Sequence, residues 1–211
     1  MALEQNSKTL DVIVYDFCKT LVNIESADDF CIFVLKEEKK YLSLFIAYLL
    51  MLSPVKIIAN LTGLKIKKIL LSFLKGISKE RMELVARKYA MYLEENFLID
   101  EVYDLLNHDQ KSTKRIFVIS AGYSIYIKYF LANLNLEIIS NDFSFSHGSF
   151  DGNILGNDCY GHEKLKRLQV AVNEIKPFKI LASYSDSLTD IPLFNISKDK
   201  YFVSEGKITK L

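Results

Sequence analysis

Three apolar runs, each ending in a residue able to do chemistry, constrain the fold of this chain more than any other feature. DVIVYD at residues 11–16 ends in Asp16, RIFVIS at 115–120 ends in Ser120, and FKILASYSD at 178–186 ends in Asp186. Short runs rich in β-branched residues and bounded by polar ones suit strands buried on both faces. LEIIS (136–140), DFSFS (142–146) and YFVS (201–204) read as further strands, with helical patterns between them, for example at 124–134 and 163–174. Strands alternating with helices predict an α/β fold, a doubly wound parallel sheet covered on both faces. In such sheets ligands bind beyond the carboxyl ends of the strands, so Asp16, Ser120 and Asp186 are expected along one edge.

Between the first two runs, residues 23–108 carry almost no strand signal. Apolar residues recur there at helical spacing, as in RMELVARKYAMYLEENF (81–97), and Gly63 and Gly76 punctuate the stretch. The expected organisation is a core of residues 1–22 and 109–211 with a helical cap, 23–108, inserted over the strand ends as a lid. Residues 41–55 of that insertion, YLSLFIAYLLMLSPV, hold no charge, lie between Lys40 and Lys56, and are interrupted by Pro54. A spanning helix needs about 20 apolar residues, so this shorter run is expected to be a buried helix of the helical subdomain. Contact with a membrane surface is the alternative, kept open by the basic amphipathic LKIKKILLSFLK at 64–75. Lys65, Lys67 and Lys68 are expected on a solvated helix face.

The balance of charge excludes one class of partner. Of 211 residues, 27 are Lys or Arg and 26 are Asp or Glu, a formal net charge of +1. That leaves no basic footprint for nucleic acid. The three cysteines, Cys18, Cys31 and Cys159, are widely spaced, and residues 1–9 are polar. Both point to reduced thiols in a cytoplasmic protein.

SYSDSLTDIPLF (183–194) places Asp186 and Asp190 four residues apart. If the turn leads into a helix, both side chains fall on one side of it. Facing Asp16, they would repel one another unless a hard cation sat among them, and Mg2+ suits a set of carboxylates, waters and phosphate oxygens. Ser120 is followed by Ala121 and Gly122. A hydroxyl with main-chain N–H groups at a strand-to-helix turn makes a phosphate cradle, although Ser120 could equally be a helix cap. Lys164, in GHEKLKRL, could neutralise phosphate charge, while Lys166 and Arg167 are expected to be solvated surface charges.

In this order the four segments resemble those of the haloacid dehalogenase superfamily. DFCKT, residues 16–20, is similar to its first motif, Asp-x-Asp-x-Thr; VISAG with Ser120 to the second; Lys164 to the third; SDSLTD with Asp186 and Asp190 to the fourth. DGNILG with Cys159 and Gly161, and the position of the helical insertion, resemble the phosphoserine-phosphatase-like branch. The resemblance implies a Rossmann-like core and a Mg2+-dependent phosphatase in which Asp16 attacks phosphorus. Asp16, the main-chain carbonyl of Cys18 and Asp186 would hold the metal, with Asp190 supporting. Thr20, Ser120, Ala121, Gly122 and Lys164 would bind the transferring group. The implied partner is a small phosphorylated metabolite. Glu25 matches the position of a cap glutamate that meets a substrate ammonium, so serine-like and other amino-alcohol phosphates are candidates beside sugar phosphates; its plain alternative is a helix N-terminal acid. Arg81 and Arg87 are possible partners for a substrate carboxylate.

Cys18 departs from the pattern. It stands where the family has the aspartate that protonates the leaving alcohol and deprotonates water. Its carbonyl survives the change; its acid/base group does not, since a free thiol has a pKa of about 8.5. The expectation is slowed turnover. The rivals are a catalytically impaired phosphate-binding relative and a phosphatase acting on a lipid-linked phosphate at a membrane surface.

Overall fold

The computed structural model of the chain describes residues 9–62, 65–112, 114–173 and 177–211. The readings made on residues 1–8, Gly63, Leu64 and Glu174 lie outside the described residues. The chain begins with β1 (Leu10–Tyr15), followed by α1 (Ser26–Glu37), α2 (Tyr41–Met51), α3 (Ser53–Thr62), α4 (Ile66–Phe73), α5 (Lys79–Phe97) and α6 (Asp100–Asp109). Next come β2 (Arg115–Tyr123), α7 (Ser124–Phe130), β3 (Glu137–Asn141), β4 (Phe143–Ser146), β5 (Ser149–Ile154) and α8 (His162–Asn173). The chain finishes with β6 (Phe178–Ser185), a 3-10 turn at Leu188–Asp190, α9 (Ile191–Ile196), β7 (Ser197–Ser204) and β8 (Lys207–Lys210).

Six strands form the main sheet in the order β3-β2-β1-β6-β7-β8. All neighbours are parallel except β7 and β8. The chain builds outward from β1 to β3, then returns to β6 on the other side, so β1 and β6 flank the point where the winding reverses. Crevices at such a point bind ligands. Period-2 alternation sends Ile13, Tyr15, Ile116 and Val118 into one apolar cluster with α5 and α7 residues, and Val12, Val14, Phe117 and Ile119 into another with Leu168, Val172 and Leu193. The doubly wound α/β fold read from the sequence is the fold observed.

The helices that follow β1 are continuous with the first of these clusters. Phe30 of α1 and Tyr89 of α5 meet Tyr126 of α7 at ring separations of 5.0 and 5.1 Å. Strands β4 and β5 form a separate antiparallel hairpin. It is tied to the stretch after α4 through Gly76 N–H to the Phe150 carbonyl (2.9 Å) and Lys79 N–H to the Gly148 carbonyl (2.8 Å).

One expectation needs correcting. The uncharged run at 41–55 is not a buried helix: within α2 only Ala47 is buried. Leu44, Leu50 and Met51 lean on the core, and the rest of the helix faces outward. The run is apolar on every side, whereas α1 and α4 cover only one stripe of it. Pro54 falls in the first turn of α3, so the extended residue Leu52 separates two helices where the sequence suggested one. Among the described residues no helix is long and apolar enough to cross a membrane.

Candidate active site

The first residue beyond β1 is Asp16, and it is still pinned to the sheet by its N–H, which donates to the Tyr184 carbonyl at 2.9 Å. Below it, Tyr15, Tyr184 and Tyr201 stack across three neighbouring strands at 4.5 and 4.6 Å, nearly parallel. The Tyr15 hydroxyl donates to Asp109 at 2.8 Å, which fixes the strand end from the α6 side. Beyond Asp16 the chain turns tightly: the Phe17 carbonyl accepts from the N–H groups of Thr20, Leu21 and Val22. The turn forces Lys19 to a φ of +52°, a left-handed conformation uncommon for a residue with a side chain. Thr20 is buried, and its hydroxyl accepts from the Asp186 N–H at 3.1 Å. That bond joins the loop after β1 to the loop after β6.

Lys164 enters from the start of α8 and binds two carboxylates at once, Asp16 and Asp190, each at 2.8 Å. All three are buried. Burial opposes the lysine's charge, but the two carboxylates outweigh it and lift its pKa above the ordinary value. Asp190 is further fixed by Ser185, whose hydroxyl donates to Oδ2 at 2.7 Å; its Oδ1 is buried with no partner among the described residues. Burial pushes the Asp16 carboxyl up to about 7; Lys164 pulls against that, and Asp190 and Asp186 add to it. Asp186, half-buried, is also raised, first by burial and then by Glu25. Among the described residues no three His, Cys, Asp or Glu side chains converge as a metal cage. Asp16 and Asp186 are the pair that could hold a cation, which would offset the burial that raises both.

Ser120 and Ala121 line the same cavity, but not at a strand-to-helix turn as expected. Strand β2 runs on to Tyr123, and its register with β3 shifts between Ile119 and Tyr123. Residues 120–122 therefore bulge out of the ladder, with Gly122 N–H donating to Ser120 Oγ at 2.9 Å. A Cβ on Gly122 would sit 2.5 Å from the Tyr126 hydroxyl and 3.1 Å from Ser120 Oγ, so only glycine fits there.

Sequence reasoning missed the side chains that hold this bulge. The buried Asn141 donates from Nδ2 to the Ala121 carbonyl (2.8 Å) and to Asp158 (2.6 Å), and accepts at Oδ1 from the Cys159 N–H (2.8 Å). Lys67 does not lie on a solvated face. It reaches from α4 to the Ala121 carbonyl at 2.8 Å and to Asp158 at 2.7 Å. Arg167 likewise is no free surface charge: it donates to the carbonyls of Ser140 and Asn157. Only the absence of any acid near Lys67 in sequence hinted that its partner lay elsewhere.

Cys18 borders the cavity from the β1 loop. Its thiol lies 3.1 Å from Ser26 Oγ, which is 2.7 Å from the Tyr126 hydroxyl, so three weak acids form a chain into the core. Burial, with help from Asp16, pushes the thiol up to about 11. Glu25 also borders the cavity, but its carboxylate is engaged by Lys19 at 2.8 Å. Arg81 and Arg87 are elsewhere: Arg81 pairs with Glu38 at 2.7 Å, and Arg87 lies over the Tyr129 ring. The cavity itself is about 1060 Å³, with Asp16, Lys164 and Asp186 at its floor and Lys56, Lys65 and Lys68 on its α3–α4 side. Thr20, Gly122 and Asp190 stand behind its wall.

The family described as haloacid dehalogenase-like hydrolase matches residues 13–195 of the chain. Among proteins of curated function none matches significantly. Among solved structures, a protein of unknown function from Bordetella pertussis Tohama I superposes with a TM-score of 0.75 at 16% identity, covering 89% of this chain and 87% of that one. A substrate-bound phosphoserine phosphatase superposes with a TM-score of 0.60 at 18% identity, over 92% and 85%. A probable phosphoserine phosphatase from Vibrio cholerae gives 0.61 at 16% identity, over 93% of this chain but only 57% of that longer one. At these identities the likeness is one of fold.

Proposed function

This chain belongs to the haloacid dehalogenase-like hydrolases, and from that premise we propose that it is a phosphatase acting through an aspartyl-phosphate on Asp16. The observation that carries this is the buried Lys164, shared between Asp16 and Asp190 at 2.8 Å each beside Asp186. A lysine so held presents positive charge where phosphoryl oxygens would lie, and phosphoryl transfer depends chiefly on positioning and charge neutralisation.

In the first step an Asp16 carboxylate oxygen bonds to phosphorus, the ester P–O bond breaks, and the departing alcohol oxygen takes a proton. In the second, water adds to phosphorus and loses a proton, and Asp16 leaves as carboxylate. Thr20 and the bulge at residues 120–122 orient the group, with Ser120 as the hydroxyl contact. The acids fit Mg2+: Asp16, Asp186 and the Cys18 carbonyl would hold it, with Asp190 supporting from behind. When bound, the ion supplies further neutralisation of the phosphoryl oxygens. The helices between β1 and β2 would act as a cap, excluding water while Asp16 is phosphorylated.

The substrate class is a small phosphomonoester. The pairing of Glu25 with Lys19 bears on which one: an amino-bearing substrate would have to displace Lys19, whereas a sugar phosphate would not. Phosphoserine phosphatases are among the solved structures that share this fold, so phosphoserine heads the panel to be tried. Phosphate release with Mg2+ across amino-alcohol and sugar phosphates is expected to exceed that of the Asp16→Asn variant. Release no greater than that control on every substrate rejects the proposal. It would favour a non-catalytic phosphate-binding protein, the reading to which Cys18 lends weight.

A further inference from the structure

Ten of the nineteen large apolar side chains exposed in the described residues lie within residues 41–61, so the exposed apolar surface is concentrated on α2 and α3. Tyr41, Phe45, Tyr48 and Leu52 recur at helical spacing along one stripe, and Leu42 (75% exposed) with Leu49 forms the stripe beside it. Leu61 at the far end of α3 is 82% exposed. So many exposed apolar side chains gathered on two successive helices of a folded chain mark an interaction site.

Charge indicates what covers it. Residues 39–79 contain eight lysines and no aspartate or glutamate, in a chain whose total charge is nearly balanced. Lys39, Lys65, Lys68 and Lys75 of this stretch are exposed, Lys65 and Lys68 where they also border the Asp16 cavity. A second copy of the chain is a poor occupant, because two-fold pairing of the same face would set these lysines against themselves. At 11 and 10 residues, α2 and α3 are too short to span a bilayer. Short helices that join an aliphatic face, aromatic residues and a lysine border lie in the plane of a membrane surface.

We infer that α2 and α3 seat the protein on a bilayer containing anionic lipid, the apolar side chains entering the headgroup boundary and the exposed lysines facing lipid phosphates. This goes beyond the hydrolase chemistry and does not depend on Asp16.

The test is flotation of the full chain with vesicles of phosphatidylcholine alone and with equimolar phosphatidylcholine and phosphatidylglycerol. The chain is expected to float with the anionic vesicles, at least tenfold less with the neutral ones, and progressively less as salt rises. The triple variant Leu42→Ser, Phe45→Ser, Leu49→Ser is expected to lose at least tenfold in binding. It should keep its circular dichroism spectrum and its turnover of a soluble phosphomonoester. Asp16→Asn should float like the wild type, so failure of the hydrolase reading leaves this test intact. A wild-type chain that stays with neither vesicle overturns the inference, as does a triple variant that floats unchanged. Light scattering that shows a dimer broken to monomer by the triple variant assigns the face to a second copy and also overturns it.

Discussion

In the proposed chemistry, Cys18 is the residue expected to set the rate. Its thiol is half-buried at the cavity edge, is pushed up to about 11, and stays protonated near neutral pH. In that state it can give a proton to a departing alkoxide but cannot take one from water. In the proposed chemistry the two half-reactions would therefore be helped unequally: phosphorylation of Asp16 is expected to proceed and hydrolysis of the phosphoenzyme to lag. With 4-nitrophenyl phosphate, whose leaving group needs no proton, rapid mixing is expected to show a burst of about one nitrophenolate per chain followed by slow release. Progress that is linear from the first time point would show that hydrolysis does not lag. The Cys18→Asp variant tests the same idea from the other side. The Ser26 hydroxyl, 3.1 Å from the thiol, is placed to donate to a carboxylate there. Steady-state turnover is expected to rise about 10²-fold or more, the usual worth of general acid–base help; an unchanged rate sinks the account of Cys18 as the slow point.

At the scale of elements, the proposed phosphate cradle is a bulge in β2 that neighbouring side chains hold open. Gly122 allows the approach of Tyr126, which is buried and bonded to Ser26 at 2.7 Å and so has nowhere to retreat. Gly122→Ala is expected to cost about 1–3 kcal/mol of stability by overpacking and to reduce activity more than Tyr126→Phe does; a variant as stable and active as the wild type would mean the bulge is not tightly packed. Lys67 ties α4 to the same bulge. Lys67→Met is expected to lower kcat/KM about tenfold through lost positioning, with thermal stability nearly unchanged because its partner Asp158 is well exposed. A variant with unchanged kcat/KM would make the contact merely structural. These devices separate what the sequence reveals from what it hides. Strands β1, β2 and β6 were readable because burial on both faces writes an unbroken apolar run. Strand β5, SFDGNI, was not, since Asp151, Gly152 and Asn153 disfavour strands, and it is held by pairing with β4 and by main-chain bonds to the stretch after α4. Asn141 and Lys67 were hidden because their partners lie 17 to 91 positions away. The exposure of α2 was hidden because an apolar run reads the same whatever covers it.

Across the whole molecule, the loops that close β1 and β6 bring Asp16, Asp186 and Asp190 together around a single lysine, and folding must bear that repulsion. Asp16 is the acid pushed up to about 7, chiefly by burial. A carboxyl whose folded pKa lies above its unfolded one binds the proton more tightly in the folded chain. Its contribution to stability is therefore complete at low pH and declines as pH rises from the ordinary carboxylate range through about 7. In the metal-free protein, Tm is expected to fall across that window. Mg2+ competes with the proton for the same oxygens, so its binding strengthens as Asp16 ionises. The rise in Tm on adding Mg2+ should accordingly be larger near pH 8 than near pH 6, and Asp186→Asn should remove most of it. Scanning calorimetry of the metal-free and Mg2+-loaded chain at the two pH values measures this directly. A rise equal at both, or larger at the lower pH, would place the ion somewhere other than against Asp16, and the binding of phosphate and metal would then have to be assigned to separate parts of the cavity.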